Sequence, residues 1–558
     1  MFDNVFYQIG AILGLATVGG GLALILRQPL IVAFIAVGIL LGPSISGVVV
    51  QSSEIELFAR LGISLLLFVV GLKLDVHIIR SVGPVALLTG LGQVIFTSVV
   101  GYLIALSLGM EHTAALYVAV ALTFSSTIII VKLLSDKREV DSLHGRIAVG
   151  FLIVQDIVVV LVMIGLTAIG QADQGASLGS EALQILITGI LMLLAVVLLS
   201  RYVLPRLLKR LAHSAELLML FAIAWAVIGA SVGDALGFSK EVGAFLAGVS
   251  IASTPYRELV AARLVSLRDF LLLFFFIELG ANLDMSALGS QTGMAIVFSV
   301  FVLVGNPLIV MLIMGYMGYR KRTGFLAGLT VAQISEFSLI LAALGLALGH
   351  LDQATVGLIT LVGLITISAS TYMILYSHEL YARLSPYLGW FERKVPHREI
   401  DALDEGNDKV DVLLFGLGRF GSTLAGILRD RGSRLRAIDF DPSIVRLHEK
   451  AGYGAHYGDA EDPEFIAAQP LENTVWVVST LRERALNRAL LQGLKQRGYG
   501  GKVAVSAATR HEAEALYQQG ADLVLVPYAD AAAEAADRIL GMASGHTPTD
   551  NHHLGGAT

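Results

Sequence analysis

Residues 122–130 read LTFSSTIII, and 209 positions further on residues 331–339 read VAQISEFSL. Each is a polar break inside text that is otherwise apolar enough for lipid. A turn unwound in hydrocarbon must have its freed backbone groups satisfied within the protein, and Ser125, Ser126 and Thr127 offer hydroxyls for that task. The offset reaches other segments. LFVVGLKLDV (67–76) falls on FFIELGANLDM (275–285), which sets Gly71, Leu74 and Asp75 over Gly280, Leu283 and Asp284. AFIAVGILLGP (33–43) falls on AFLAGVSIAST (244–254) at nearly the same offset. Seven expected spans separate these partners, an odd number, so the two copies cross the bilayer in opposite senses. Inverted repeats of this kind belong to secondary transporters, whose ion site forms where broken helices meet at the midplane. If both breaks unwind, they cross near the centre of one bundle and their half-helix dipoles balance charge there.

Of the 558 residues 55% are hydrophobic and 15% charged, with a mean hydropathy of +0.74. A soluble domain averages about a quarter charged residues, so this is a polytopic membrane chain. Thirteen spans are expected, at roughly 5–26, 29–43, 55–74, 82–108, 112–134, 147–170, 181–204, 215–236, 241–254, 264–284, 291–318, 323–349 and 354–381. Cysteine is absent, which excludes disulfides, thiolate catalysis and cysteine metal sites. The expected fold class is a polytopic α-helical membrane protein of about thirteen helices, with an inverted repeat and crossed discontinuous helices, plus a C-terminal α/β Rossmann-like domain. The divisions are a transmembrane domain over 1–384, a charged linker over 385–409, a soluble domain over 410–541 and a polar, disordered tail over 542–558. From Arg398 onward there are 23 acidic and 17 basic residues, so the net charge of −6 sits in this portion. An acidic soluble portion argues against nucleic acid as a partner.

Loop charge gives the orientation. One alternating set of loops holds Arg27, Lys73, Arg80, Lys132, Lys137, Arg138, Arg146, Arg201, Arg206, Lys209, Arg210, Arg257, Arg263, Arg268, Arg320, Lys321 and Arg322. The opposite set holds little beyond Lys240, with Arg60 inside the start of the third span. The positive-inside rule then puts the N-terminus outside and the soluble domain in the cytoplasm.

Residues 151–163, FLIVQDIVVVLVM, carry a carboxylate in a run built for lipid. Asp156 lies ten residues after Arg146, about 15 Å at 1.5 Å per residue, which is the middle of a ~30 Å hydrocarbon core. Glu278 lies ten residues past Arg268 and Glu336 fourteen past Arg322, which assigns both a similar depth. A charge there costs at least ~2.5–3.5 kcal/mol, so such groups face a protein cavity and serve ions or protons. Glu336 sits within the second break, where it either braces the crossing or binds an ion; the role of Glu278 stays open. Burial disfavours a charged carboxylate and a bound cation favours it. Proton and cation therefore compete for Asp156, and one such acid implies one cation per proton, which is electroneutral exchange.

The succession TFSSTIIIVKLL, GRIAVGFLIVQDIVVV and VAQISEFSLIL resembles the monovalent cation:proton antiporter-2 family, specifically its Kef-type branch. The resemblance implies thirteen helices, a dimerisation domain and a mobile six-helix core that moves as an elevator. It puts the transport acid at Asp156, completes a Gln-Asp pair with Gln155, and sets Thr123, Ser125, Ser126 and Thr127 in the crossover. The Gln-Asp version resembles potassium-linked, electroneutral members, so K+ is preferred over Na+ as the cation held at Asp156. FFIELG departs from the family text by carrying Glu278.

The soluble portion opens with an apolar strand over Val410–Phe415, then Gly416-x-Gly418-x-x-Gly421, a helix, and a second strand ending at Asp439. Glycines following a strand and opening a helix let backbone amides approach phosphate, and an acid at Asp439 binds ribose hydroxyls. An acid there disfavours a 2′-phosphate, so AMP or NAD(H) is expected as a regulatory ligand, with no catalytic cofactor. The strand-and-turn units that follow resemble the RCK (TrkA-N type) regulatory domain, and the matched positions are Gly416, Gly418, Arg419, Gly421, Asp439, Asp441 and Asp459. That resemblance implies dimerisation through this domain as well. The partners expected are K+ or Na+, H+, an adenine nucleotide, a second copy of the chain and an ancillary subunit, in the inner membrane of a bacterial cell.

The function expected is secondary active cation/proton antiport, not enzyme chemistry. Three readings compete with K+/H+ exchange. A Na+/H+ antiporter shares the fold, a nucleotide-gated K+ channel shares the sensor, and a membrane-bound NAD-dependent oxidoreductase shares the glycine fingerprint. The chain lacks a TVGYG filter, and after Pro470 no second catalytic domain remains.

Overall fold

The computed structural model describes residues 5–73 apart from 44 and 48–52, and residues 83–172 apart from 138 and 141. It further describes 188–392 apart from 189, 190, 193, 237 and 284, and 410–543 apart from 440, 453, 459, 461–464, 467, 468, 470, 482 and 483. The chain divides into two compact units, one running essentially from the N-terminus to Arg393 and one from Lys394 onward.

The first unit is helical. Its first half comprises α1 (Val5–Ile25), α2 (Leu30–Leu41), α3 (Ser53–Lys73), α4 (Gly83–Ser107), α5 (His112–Ala121), α6 (Thr127–Asp136) and α7 (Leu143–Ala172). A π-helical turn at Leu199–Val203 leads into α8 (Leu204–Leu211). The second half comprises α9 (Ala215–Ala235), α10 (Lys240–Ala252), α11 (Arg257–Ala281), α12 (Met285–Val300), a π-helical turn at Phe301–Gly305, and α13 (Asn306–Tyr316). It continues with α14 (Lys321–Leu329), α15 (Glu336–Ala347), α16 (Gln353–Leu375) and α17 (Ser377–Leu384). The halves answer each other at the 209-residue offset, with α1 matching α9, α2 α10, α3 α11, α5 α14, α6 α15 and α7 α16. The caps repeat too. Ser126 and Ser335, 209 apart, are both extended N-cap residues whose hydroxyls accept a backbone amide of the helix that follows. Among the described residues seven helices are long and apolar enough to cross a membrane, one of them running from Gln291 to Tyr316 through the π-helical turn, and the first part of the seventh expected span, 181–187, falls outside the described residues.

Glycine decides how the halves meet. A Cβ at Gly38 on α2 would lie 2.2 Å from the Ile277 carbonyl oxygen, and one at Gly280 on α11 would lie 2.2 Å from that of Ile35. The mirror contact joins α3 and α10, where a Cβ at Gly71 or Gly248 would lie 2.3 or 2.1 Å from the oxygens of Phe245 and Phe68. In lipid, association rests on such close backbone approach, because the solvent is as apolar as leucine.

Two expectations about charge change. Arg268 is not a loop residue: it is the twelfth residue of the 25-residue α11, is buried, and donates to Asp269 Oδ1 from Nε at 2.9 Å and Nη2 at 2.7 Å. Residues 385–391, expected in the linker, form a 3-10 turn, and a Cβ at Gly315 of α13 would collide with the Phe391 carbonyl.

The loop between α6 and α7 is tied to the α16–α17 junction. Glu139 accepts from Lys137 Nζ at 2.9 Å and meets His378 Nε2 at 2.8 Å and His144 Nε2 at 3.2 Å, while Lys137 also donates to Ser377 Oγ at 2.6 Å. Burial alone would raise the Glu139 carboxyl, but the histidine hydrogen bonds and the lysine charge outweigh it and hold the group well below the usual carboxylate range. A depressed folded-state value contributes stability that is complete above the unfolded carboxylate value and fades as pH falls toward the folded one. Glu139→Gln should therefore lower stability by about 2–4 kcal/mol near neutral pH, with the gap to wild type narrowing below about pH 4. Thermal unfolding in detergent across that range checks it.

The second unit is a six-stranded parallel sheet in the order β3-β2-β1-β4-β5-β6. The strands are β1 (Val412–Phe415), β2 (Leu435–Asp439), β3 (Ala455–Tyr457), β4 (Trp476–Ser479), β5 (Lys502–Ser506) and β6 (Leu523–Leu525), with α18 (Arg419–Asp430) and α19 (Pro442–Lys450) completing the first crossovers. Leu413, Phe415, Val477 and Val505 bury one face, and Val412, Leu414, Val478 and Ala504 bury the other. A sheet covered on both faces reads as continuous apolar runs, which is how these strands appear in the sequence.

Candidate functional site

Both polar breaks are unwound. Residues 122–126 separate α5 from α6, and residues 330–335 separate α14 from α15. Thr123, Ser125 and Ser126 are buried in the first, and Thr127 opens α6. Asp156, half-buried on α7, accepts a hydrogen bond on Oδ2 from Thr127 Oγ1 at 3.0 Å. The structure therefore brings the carboxylate to the start of the half-helix that the first break creates.

Gln155 is occupied. Its Oε1 accepts from the Ser125 backbone amide at 3.0 Å, and its Nε2 donates to Gln93 Oε1 at 2.7 Å. Gln93 Nε2 in turn donates to the Thr123 carbonyl at 3.1 Å. A backbone N–H at one end and a backbone C=O at the other fix the sense of every bond in this chain. Two glutamines thus staple the backbone that unwinding leaves open, and Gln155 holds the break rather than offering a free oxygen. Two other oxygens are free. Ser125 Oγ and Glu336 Oε1 are buried without a hydrogen-bond partner among the described residues. Glu336 is the first residue of α15, and its Oε2 accepts from Ser335 Oγ at 3.4 Å. Lys73 and Glu336 stand within electrostatic reach of Asp156.

Glu278 is elsewhere. It lies in the last turn of α11, ten residues past the mid-helix Arg268. There it lines a cavity of about 510 Å3 with Glu56, Arg60, Lys240 and Glu241, and Asp156 is not among the lining residues.

Sequence reading missed Gln93, Thr97 and Asn306, all buried and all hydrogen-bonded to the breaks or to each other. Their signal was present: each is an amide or hydroxyl in an apolar span, the same mark that singled out Gln155.

In the second unit, Gly416 has φ +95° and Gly418 is the N-cap of α18. A Cβ at Gly421 would lie 2.0 Å from the Gly416 carbonyl oxygen, so the turn closes only on glycine. Asp439, buried at the end of β2, accepts from the Leu417 amide at 2.5 Å and the Asp441 amide at 2.8 Å. Burial pushes its carboxyl up, and those two amides oppose the shift. Asp441 is half-buried and Arg419 exposed at the start of α18, while Asp459 lies outside the described residues. Gly416, Gly418, Gly421 and Asp439 are thus together at the glycine turn, with Asp439 already bracing it.

Residues 12–375 match the family described as sodium/hydrogen exchanger, transmembrane, and residues 412–527 match the TrkA-N domain. The putative cation/proton antiporter YbaL of Escherichia coli (strain K12) is 28% identical over 481 residues, 84% of this chain and 85% of that protein. The putative K(+) efflux antiporter KefB of Alkalimonas amylolytica is 28% identical over 522 residues, 92% of this chain and 78% of that protein. Among solved structures, the sodium proton antiporter MjNhaP1 from Methanocaldococcus jannaschii aligns at a TM-score of 0.51 with 15% identity, over 70% of this chain and 98% of that one, a likeness of fold. The chain belongs to the transmembrane sodium/hydrogen exchanger family and carries a TrkA-N domain behind its membrane unit.

Proposed function

We propose that this chain is a K+/H+ antiporter that exchanges one cation for one proton at Asp156 by an elevator motion, under control of AMP or NAD(H) bound at the TrkA-N domain. The observation that carries the reading is the grouping of Asp156 and Thr127 Oγ1 at one break with the unpartnered Ser125 Oγ and Glu336 Oε1. These are the oxygens a partly dehydrated monovalent cation requires. Gln155 leaves Asp156 as the adjacent ionisable group, which supports electroneutral exchange. The preference for K+ rests on relatives named K(+) efflux antiporters, KefB among them. The competing reading is Na+/H+ exchange on the same residues, favoured by the family description and by MjNhaP1. The N-terminus lies outside and the TrkA-N domain in the cytoplasm of a bacterial cell, and the protein works as a homodimer.

Purified protein in proteoliposomes with a pH-sensitive dye, scanned over K+, Na+, Rb+ and Li+, tests this. Exchange should respond most to K+ and be indifferent to a clamped membrane potential. A large conductance uncoupled from pH would reject antiport, and oxidation or reduction of the nucleotide at 340 nm would reject a purely regulatory ligand. Gly421→Val should abolish AMP and NADH binding by calorimetry, because its side chain occupies the turn through which the backbone approaches phosphate. Basal exchange should survive that substitution and lose its response to nucleotide.

A further inference from the structure

Asn306 is fully buried, the first residue after the π-helical turn and the one before Pro307. Its Nδ2 donates to the Leu122 carbonyl at 3.4 Å and to the Val331 carbonyl at 3.2 Å, one from each break. Those carbonyls belong to residues 209 apart, mates in the inverted repeat. Its Oδ1 accepts from Thr97 Oγ1 at 2.7 Å, and Thr97 and Asn306 are themselves 209 apart. One amide thus spans the two breaks at the centre of the repeat. The chain runs on, since Thr97 Oγ1 accepts from Gln93 Nε2 at 3.1 Å and Gln93 leads through Gln155 to the Ser125 amide. Only a carboxamide serves here among side chains of this size. It donates two hydrogen bonds while accepting one, which neither an ionised carboxylate nor an aliphatic group does.

We propose that Asn306 is a positioning residue for cation exchange. By tying the Leu122 and Val331 carbonyls it sets the spacing of the two breaks. It thereby sets the placement of Thr127 and Asp156 against Glu336. This inference rests on the reading of Asp156 as the transport acid. Asn306→Asp keeps the shape and the acceptor for Thr97 but turns the donor toward two carbonyls into an acceptor. Thr97→Val removes the hydroxyl at nearly constant volume, and Thr97→Ser retains it.

The experiment titrates K+ and Na+ against full-length protein in proteoliposomes, separating the half-saturating concentration from the maximal rate per folded molecule. N306D and T97V should each raise the half-saturating concentration about tenfold, the scale of one buried hydrogen bond. T97S should recover most of the value that T97V loses. Wild-type half-saturation in N306D and T97V, or a lower maximal rate that merely tracks the amount of folded protein, overturns the proposal. If N306D does not assemble, T97V decides by the same criterion. D156N in parallel separates the two readings: an active D156N rejects the transport site, whereas an inactive D156N beside an unaltered T97V rejects only the role of Asn306.

Discussion

Asp156→Asn should reduce exchange to the background of empty proteoliposomes while leaving the protein folded. Asparagine at this position still accepts the hydrogen bond from Thr127 Oγ1, so the start of α6 keeps its partner. What disappears is the proton that the carboxyl binds and releases, and the negative charge that offsets the cost of stripping water from a cation. Among the described residues, none of the other candidate side chains shares the hydrogen bond to Thr127. Gln155 does not titrate, Glu336 sits across the crossing bound to Ser335, and Glu278 lines a separate cavity near the end of α11. A charge at membrane depth costs about 2.5–3.5 kcal/mol or more, so the substitution should hold or raise thermal stability. Loss of exchange together with retained stability is the expected signature. Cation-dependent proton flux at the wild-type rate would move the site away from Asp156.

Much of the membrane fold was legible because lipid allows few exceptions. A polar cluster in an apolar run has to be a break, a cavity or a cost, and the 209-residue repeat showed which segments carried a break twice. The matching N-caps at Ser126 and Ser335 could be anticipated from the same alignment. Depth counted from arginines was less secure. Arg146 stands near the start of α7, whereas Arg268 lies beside Asp269 in the middle of α11, so the two counts do not begin at equivalent places. A mid-helix arginine beside an acidic neighbour looks the same in sequence as a loop charge. The stapling role of Gln155 was also hidden, because hydrogen-bond direction depends on Gln93 and Thr123, which come from other elements. In the TrkA-N domain the glycine turn was read correctly from local spacing, while the bond from Leu417 to Asp439 required the sheet that brings them together.

Gly280→Val should prevent assembly of the membrane unit. Its Cβ would lie 2.2 Å from the Ile35 carbonyl oxygen and 3.1 Å from Gly38 Cα, and both are backbone atoms that no rotamer can move. Relief requires α11 and α2 to part along the crossing, and their separation would strain the mirror contact of α3 with α10 through the α3–α11 packing between them. Overpacking of a close-packed interior costs about 1–3 kcal/mol even where side chains can shift, and a backbone-to-backbone contact lies at or above the top of that range. A β-branched residue adds further crowding in a helix. Gly293→Val on α12 is the control, since no atom lies within 4 Å of a Cβ there. Size-exclusion chromatography in detergent should give a monodisperse peak for G293V and aggregate for G280V. A monodisperse G280V with the wild-type melting temperature would mean that the α2–α11 crossing does not hold the two halves of the repeat together.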